Sequence, residues 1–113
     1  MKLVVAFIRP EKFNDVKQKL YEREVYKISA TNSLGCGEEK GYIESYRGIQ
    51  TEVTLLKKVR LEIALNDEFV QPTIDAITEG ARTGEIGDGK IFVMPIDECY
   101  RIRTGEKGSK AIG

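Results

Sequence analysis

Two short stretches hold the residue types that bind anions. In GEIGDGK (84–90), Gly84, Gly89 and Lys90 keep the G-x-x-x-x-G-K spacing of a phosphate-binding loop, but Ile91 stands where that loop uses Ser or Thr to hold magnesium. Such a loop also runs from a strand into a helix, so that the helix N-terminus faces the phosphates. Here a helical pattern precedes the glycines and a strand pattern follows, so the P-loop reading fails on topology as well. Gly87 and Gly89 can still point backbone N–H groups into one concavity, with Lys90 adding a mobile charge. In RIRTGEKG (101–108), Arg101 and Arg103 are two apart and, in extended chain, project to the same side, ready to clamp phosphates. Each stretch read alone is equally a glycine-rich turn or a solvated face; together they suggest a polyphosphate site.

The rest of the composition narrows the chemistry. Eighteen Lys plus Arg balance eighteen Asp plus Glu, so no global field draws in nucleic acid or an anionic membrane, and any anion site must be local. There is no histidine, which removes Ser-His and Cys-His mechanisms and the usual proton carrier near neutrality. Cys36 and Cys99 are too few for a disulfide framework or a zinc site. The apolar runs fall far short of the ~20 residues of a membrane span, and nothing resembles a signal peptide, so a soluble, cytoplasmic protein without membrane insertion is expected. A nucleotide hydrolase using the same loop is the enzyme alternative. Its only nearby carboxylates would be Asp88 and Glu62, so fast chemistry is not expected. An RNA-binding domain would need basic charge and aromatic-rich strands, which are missing.

The elements that must position these residues follow from hydrophobic period. At 113 residues the chain is one domain with one core. KLVVAFIR (2–9) is apolar on both alternating faces, Leu3, Val5 and Phe7 on one and Val4, Ala6 and Ile8 on the other, so both faces need cover. Pro10 starts a helix to about Arg23, with Phe13, Val16 and Leu20 as its stripe. A weaker strand follows over 25–35. KVRLEIALN (58–66) alternates Val59, Leu61, Ile63 and Leu65 against Arg60, Glu62 and Ala64. A second helix runs from Asn66 or Asp67 to about Ala81, with Val70, Ile74, Ile77 and Ala81 inward and Pro72 expected in its first turn. KIFVMPI (90–96) is a strand that Pro95 confines to an edge or a bulge.

The order is βαββαβ, an α+β ferredoxin-like fold with a four-stranded antiparallel sheet and two helices on one face. The uncovered face, apolar along its first strand, implies a homo-oligomer. From Gly35 to Lys57 runs a long polar stretch with four glycines and, near its middle, Tyr46-Arg47-Gly48. This presents an aromatic and a cation as an anchor for a partner, where the plainer reading is a hairpin extension.

YRG at 46–48, ARTG with GDGKIFV through 81–93, RIRTGEKG at 101–108, IRP at 8–10 and KVRLEI at 58–63 together resemble the PII family of nitrogen regulatory proteins, most closely its GlnK type, in register over essentially the whole chain. The resemblance implies a single domain over 1–113 in a homotrimer with ATP or ADP in clefts between subunits. It also implies a protruding T-loop over about 37–55, a B-loop over about 82–90 and a C-loop over about 101–113. By position, Gly87, Asp88, Gly89 and Lys90 would bind phosphates, and Arg101, Ile102 and Arg103 would close the site from a neighbour. Ser29, Glu62, Ala64 and Thr83 match the adenosine part or cleft edge, and Gly37, Glu38 and Glu39 the nucleotide side of the T-loop. Glu39 would hold Mg2+ with ATP. Gly37, Glu39, Lys40, Gly41 and Lys58 would meet 2-oxoglutarate. Tyr46, Arg47 and Gly48 would contact an ammonium transporter at the membrane surface; glutamine synthetase is a second candidate partner.

Three departures modify these implications. Thr51 replaces the tyrosine that is uridylylated in many relatives, so that modification is expected to be absent. Glu39 replaces the glutamine that positions 2-oxoglutarate, adding repulsion on the order of 4 kcal/mol at about 4 Å in an effective dielectric near ~20. Binding of 2-oxoglutarate is therefore expected to be weak or lost. Glu38 stands where an arginine often reaches the nucleotide, which is expected to weaken ATP relative to ADP.

Overall fold

The computed structural model describes residues 1–35, 43–46, 49–52 and 55–113, with the backbone alone at 43–46 and 49–52. Strand β1 (Lys2–Ile8) leads through a 3-10 turn at Pro10–Lys12 into helix α1 (Phe13–Glu22), then β2 (Ser29–Gly35). Strands β3 (Ile43–Tyr46) and β4 (Ile49–Glu52) pair with each other. Next come β5 (Leu56–Leu65), a 3-10 turn at Asp67–Phe69, α2 (Val70–Ala81), β6 (Lys90–Pro95) and a short α3 (Ser109–Ile112). The main sheet is antiparallel in the order β2-β5-β1-β6, as expected for a ferredoxin-like α+β domain.

The core forms where period and sheet order agree. Val4, Ala6 and Ile8 of β1 meet Val59, Leu61, Ile63 and Leu65 of β5, and Val16, Leu20, Ala76 and Ile77 of the helices close over them. Both helices therefore cover one face. Cross-strand register places Val5 opposite Glu62 on one side and Phe92 on the other. The second face thus carries Leu3, Val5 and Phe7 between Lys58, Arg60, Glu62 and Ala64 of β5 and Lys90, Phe92 and Met94 of β6. Phe92 and Met94 are 49% and 40% exposed on that face, so two large side chains lie there without cover from this chain.

Helix α2 buries Ile77 and Ala81 of the expected stripe, packs Val70 against the core, and adds a second stripe of small residues. Thr73, Ala76, Ile77, Gly80 and Ala81 are buried, while Ile74 is only half-buried. The reason is that α2 has two neighbours, the sheet and α1, and small residues face the second. A Cβ at Gly80 would fall 2.7 Å from the Val16 Cα, so this glycine sets how closely the helices cross. The prolines stand where expected: Pro72 in the first turn of α2, and Pro95 at the end of edge strand β6. The expected strand over 25–35 is shorter at its start. Glu24 turns out of α1 at φ 60°, and the Val25 N–H donates back to the Leu20 carbonyl at 2.9 Å, so the chain first completes the helix end.

Candidate functional site

The loop between α2 and β6 is built by glycines and one carboxylate. Gly84, Gly87 and Gly89 all adopt positive φ (90°, 104° and 104°), the left-handed region that residues with a Cβ avoid. Asp88 reaches back across the loop. Its carboxylate accepts from the Thr83 N–H at 2.8 Å, the Gly84 N–H at 2.9 Å and the Thr83 hydroxyl. The Thr83 hydroxyl in turn accepts from the Glu85 N–H at 3.1 Å. These donors, the Thr83 hydroxyl foremost and then the Thr83 amide, hold the Asp88 carboxyl well below the usual carboxylate range, with Gly84 and Arg9 assisting against partial burial. The side chain of Asp88 is thus engaged in shaping the loop, and what its position can offer an anion is backbone.

Two cations from outside the loop complete it. The Arg9 guanidinium, at the end of β1, donates to the Ile86 carbonyl at 2.7 Å and lies 3.4 Å from the Asp88 carboxylate. The Lys58 ammonium on β5 donates to the Gly87 carbonyl at 3.1 Å. The resemblance implies an effector role for Lys58 and none for Arg9. The available signal was a charged residue at the end of a strand otherwise apolar on both faces.

Beside the loop an open cleft of about 530 Å³ is lined by Phe7 and Phe92, by Ser33 to Gly35, by Leu56 and Lys58, and by the loop residues from Glu85 to Lys90. Phe7 and Phe92 meet edge to face at 6.4 Å between centroids, and the Arg60 guanidinium lies 5.5 Å from the Phe7 ring. Arg60 also pairs with Glu62 at 2.9 Å. Ser29 lies opposite Glu62 in the β2–β5 ladder, and Ala64 stands two residues further along β5, so these three exposed residues share the face bearing Phe7 and Phe92. The structure therefore brings Ser29, Glu62, Ala64 and Lys58 onto one surface, with Gly87 to Lys90 at one end. Thr83 lies on the loop itself.

Arg101 and Arg103 depart from the extended geometry expected of them. Residues 102–104 form a turn closed by the Gly105 N–H donating to the Arg101 carbonyl at 2.7 Å, and Tyr100 bridges to Lys107. A reversing chain does not keep alternate side chains on one side. The Arg101 side chain donates to Glu106 at 3.0 Å and to the carbonyls of Lys110 (3.0 Å) and Gly113 (2.5 Å), fastening α3. Arg103 and Ile102 are exposed. Neither arginine lines the cleft beside the loop of its own chain.

Gly37, Glu38, Glu39, Lys40, Gly41, Arg47 and Gly48, with the roles expected of them, lie outside the described residues, as do the side chains of Tyr46 and Thr51. Among the described residues no group of three or more acidic, Cys or His side chains gathers to hold a metal, and no helix is long and apolar enough to cross a membrane.

Fold and site define a ferredoxin-like domain whose glycine-built, cation-held loop opens beside an uncovered sheet face. The family model for nitrogen regulatory protein P-II matches residues 1–106. The chain is 47% identical to nitrogen regulatory protein GlnK1 of Methanosarcina mazei, over 99% of this chain and 97% of the relative. It is also 47% identical to nitrogen regulatory protein P-II of Azospirillum brasilense and 48% identical to that of Bradyrhizobium diazoefficiens, each over 99% of this chain and 100% of the relative. The chain belongs to the nitrogen regulatory protein P-II family, and its class is nitrogen signal transduction.

Proposed function

We propose that this protein is a non-enzymatic regulator that binds ATP or ADP at the 82–90 loop and reports the bound state through residues 37–55 to a partner. The observation that carries the reading is the loop itself: three positive-φ glycines, with two of its carbonyls held by Arg9 and Lys58 and its one aspartate held by the Thr83 and Gly84 donors. That arrangement leaves a donor-rich backbone beside Lys90, which suits phosphate oxygens. Among the described residues, the carboxylates lining the cleft are Glu85, which opposes an anion, and Asp88, whose charge is offset by the donors that hold it.

In this reading Arg101 and Arg103 act on a neighbouring copy, and the protein works as a homotrimer with its uncovered sheet faces turned inward. The half-exposed Phe92 and Met94 support that assembly. Mg2+ accompanies ATP through Glu39, and 2-oxoglutarate binds weakly or not at all. The partner proposed is an ammonium transporter met by Tyr46, Arg47 and Gly48 from the cytoplasmic side, with glutamine synthetase as the second candidate. Ligands that differ by ~1–3 kcal/mol between two states of the 37–55 segment would switch partner affinity about 5- to 150-fold.

Calorimetric titration with ATP, with ADP, and with 2-oxoglutarate in the presence of Mg-ATP tests the ligand reading. Saturable nucleotide binding is expected; micromolar 2-oxoglutarate binding would contradict the role given to Glu39. A turnover of many per second at saturating Mg-ATP would make the protein an enzyme instead. Transporter pull-down tests the partner, and retention by Arg47→Ala equal to wild type would count against that anchor.

A further inference from the structure

Arg9 and Asp88 lie 79 residues apart in sequence, yet their side chains meet with only 18% and 24% of their surfaces exposed. Asp88 sits inside the loop, whereas Arg9 ends β1 on the rigid sheet, immediately before the turn at Pro10. The grip of Arg9 on the loop is double, through the Ile86 carbonyl and the Asp88 carboxylate. Lys58, on the neighbouring strand β5, holds the next carbonyl, that of Gly87.

In a planar trans peptide the C=O and N–H point in opposite directions. Pinning the Ile86 and Gly87 oxygens toward Arg9 and Lys58 therefore directs the N–H groups of Gly87 and Asp88 away from those cations. A loop with the opposite peptide orientation would present carbonyl oxygens, which repel an anion. The positive φ of Gly87 is the backbone freedom that this orientation uses.

We propose that Arg9 is a positioning residue of the anion loop. By tying residues 86–88 to the end of β1, it fixes the donor edge of the loop toward a polyphosphate without itself touching that ligand. The role rests on the nucleotide reading above and adds to it a residue that acts through the Ile86 carbonyl and Asp88.

The test measures ATP and AMP affinity calorimetrically for the full-length wild type, Arg9→Gln, Asp88→Asn and the double variant, with thermal melting confirming that each is folded. Arg9→Gln is expected to bind ATP about tenfold or more weakly while AMP affinity changes far less, because the loop serves the terminal phosphates. The two substitutions are expected to be partly non-additive, with Arg9→Gln losing the share of its effect that runs through Asp88 and keeping the share that runs through the Ile86 carbonyl. Arg9→Lys, which keeps the charge but not the two-pronged reach, is expected to fall between wild type and Arg9→Gln, and it serves as the variant if Arg9→Gln does not fold. ATP binding by wild type that the Arg9 variants retain would overturn this role alone, as would equal losses for AMP and ATP or strict additivity with Asp88→Asn. Failure of the wild type to bind ATP would overturn the nucleotide reading and this role with it.

Discussion

A Cβ at position 89 would lie 1.7 Å from the carbonyl oxygen of Phe7, so the loop touches β1 at a point where only glycine fits. Gly89 also has φ 104°, and no small shift of a flexible side chain can relieve a clash with backbone. Gly84 has a similar φ of 90° but open space around its missing Cβ. Gly89→Ala is therefore expected to destabilise the protein by at least about 1 kcal/mol more than Gly84→Ala, which carries only the left-handed backbone penalty of ~1–2 kcal/mol. Urea unfolding of both variants measures the difference.

Acid should loosen the loop through Asp88. Its folded-state pKa lies below its unfolded value of about 3.9, so its hydrogen bonds contribute stability that is fully present above that value and is lost as pH falls toward the folded-state pKa. Between about pH 5 and about pH 2, the denaturation midpoint of the wild type is expected to fall more steeply than that of Asp88→Asn. Parallel slopes would show that the clamp between Asp88 and Thr83 contributes nothing.

The crossing of the two helices gives a third measurement. Gly80 meets the backbone of Val16 and Asp15, so Gly80→Ala must push α1 and α2 apart despite alanine's better helix propensity. Overpacking of this kind costs about 1–3 kcal/mol. A stabilising effect in denaturant unfolding would mean that the helices separate without strain.

Thr73 is the one buried polar residue among those described, and its hydroxyl has no hydrogen-bond partner. Valine has nearly the same shape without the polar atom. Thr73→Val is expected to raise stability by about 1 kcal/mol, since an unsatisfied buried hydroxyl costs that much or more. A lower melting temperature for the variant would indicate that the hydroxyl is satisfied in solution.

Much of this architecture was legible in the chain. The alternation of Val59, Leu61, Ile63 and Leu65 with Arg60, Glu62 and Ala64 placed β5 and its buried face, and the double-faced β1 pointed to a central strand with a second surface to cover. The anion loop was legible as a type, because Gly87, Gly89 and Lys90 carry backbone freedom and charge in their identities. Burial and period are local properties: they depend on side-chain chemistry repeating at fixed spacing along one element.

Tertiary structure decided what depends on segments far apart in sequence. Asp88, matched to a phosphate site, has its carboxylate taken up by Thr83, Gly84 and Arg9. Arg101 fastens α3, and its neighbour Arg103 leaves the extended register because the chain turns there. Helix α2 buries Thr73 and Gly80 because α1 lies against it, which no stripe on α2 alone could specify. By itself the sequence determined the four strands of the main sheet, the two long helices and the buried face of β5. The folded sheet decided which cations hold the anion loop, because a hydrogen bond between β1 and residue 88 exists only once the strand order has brought them together.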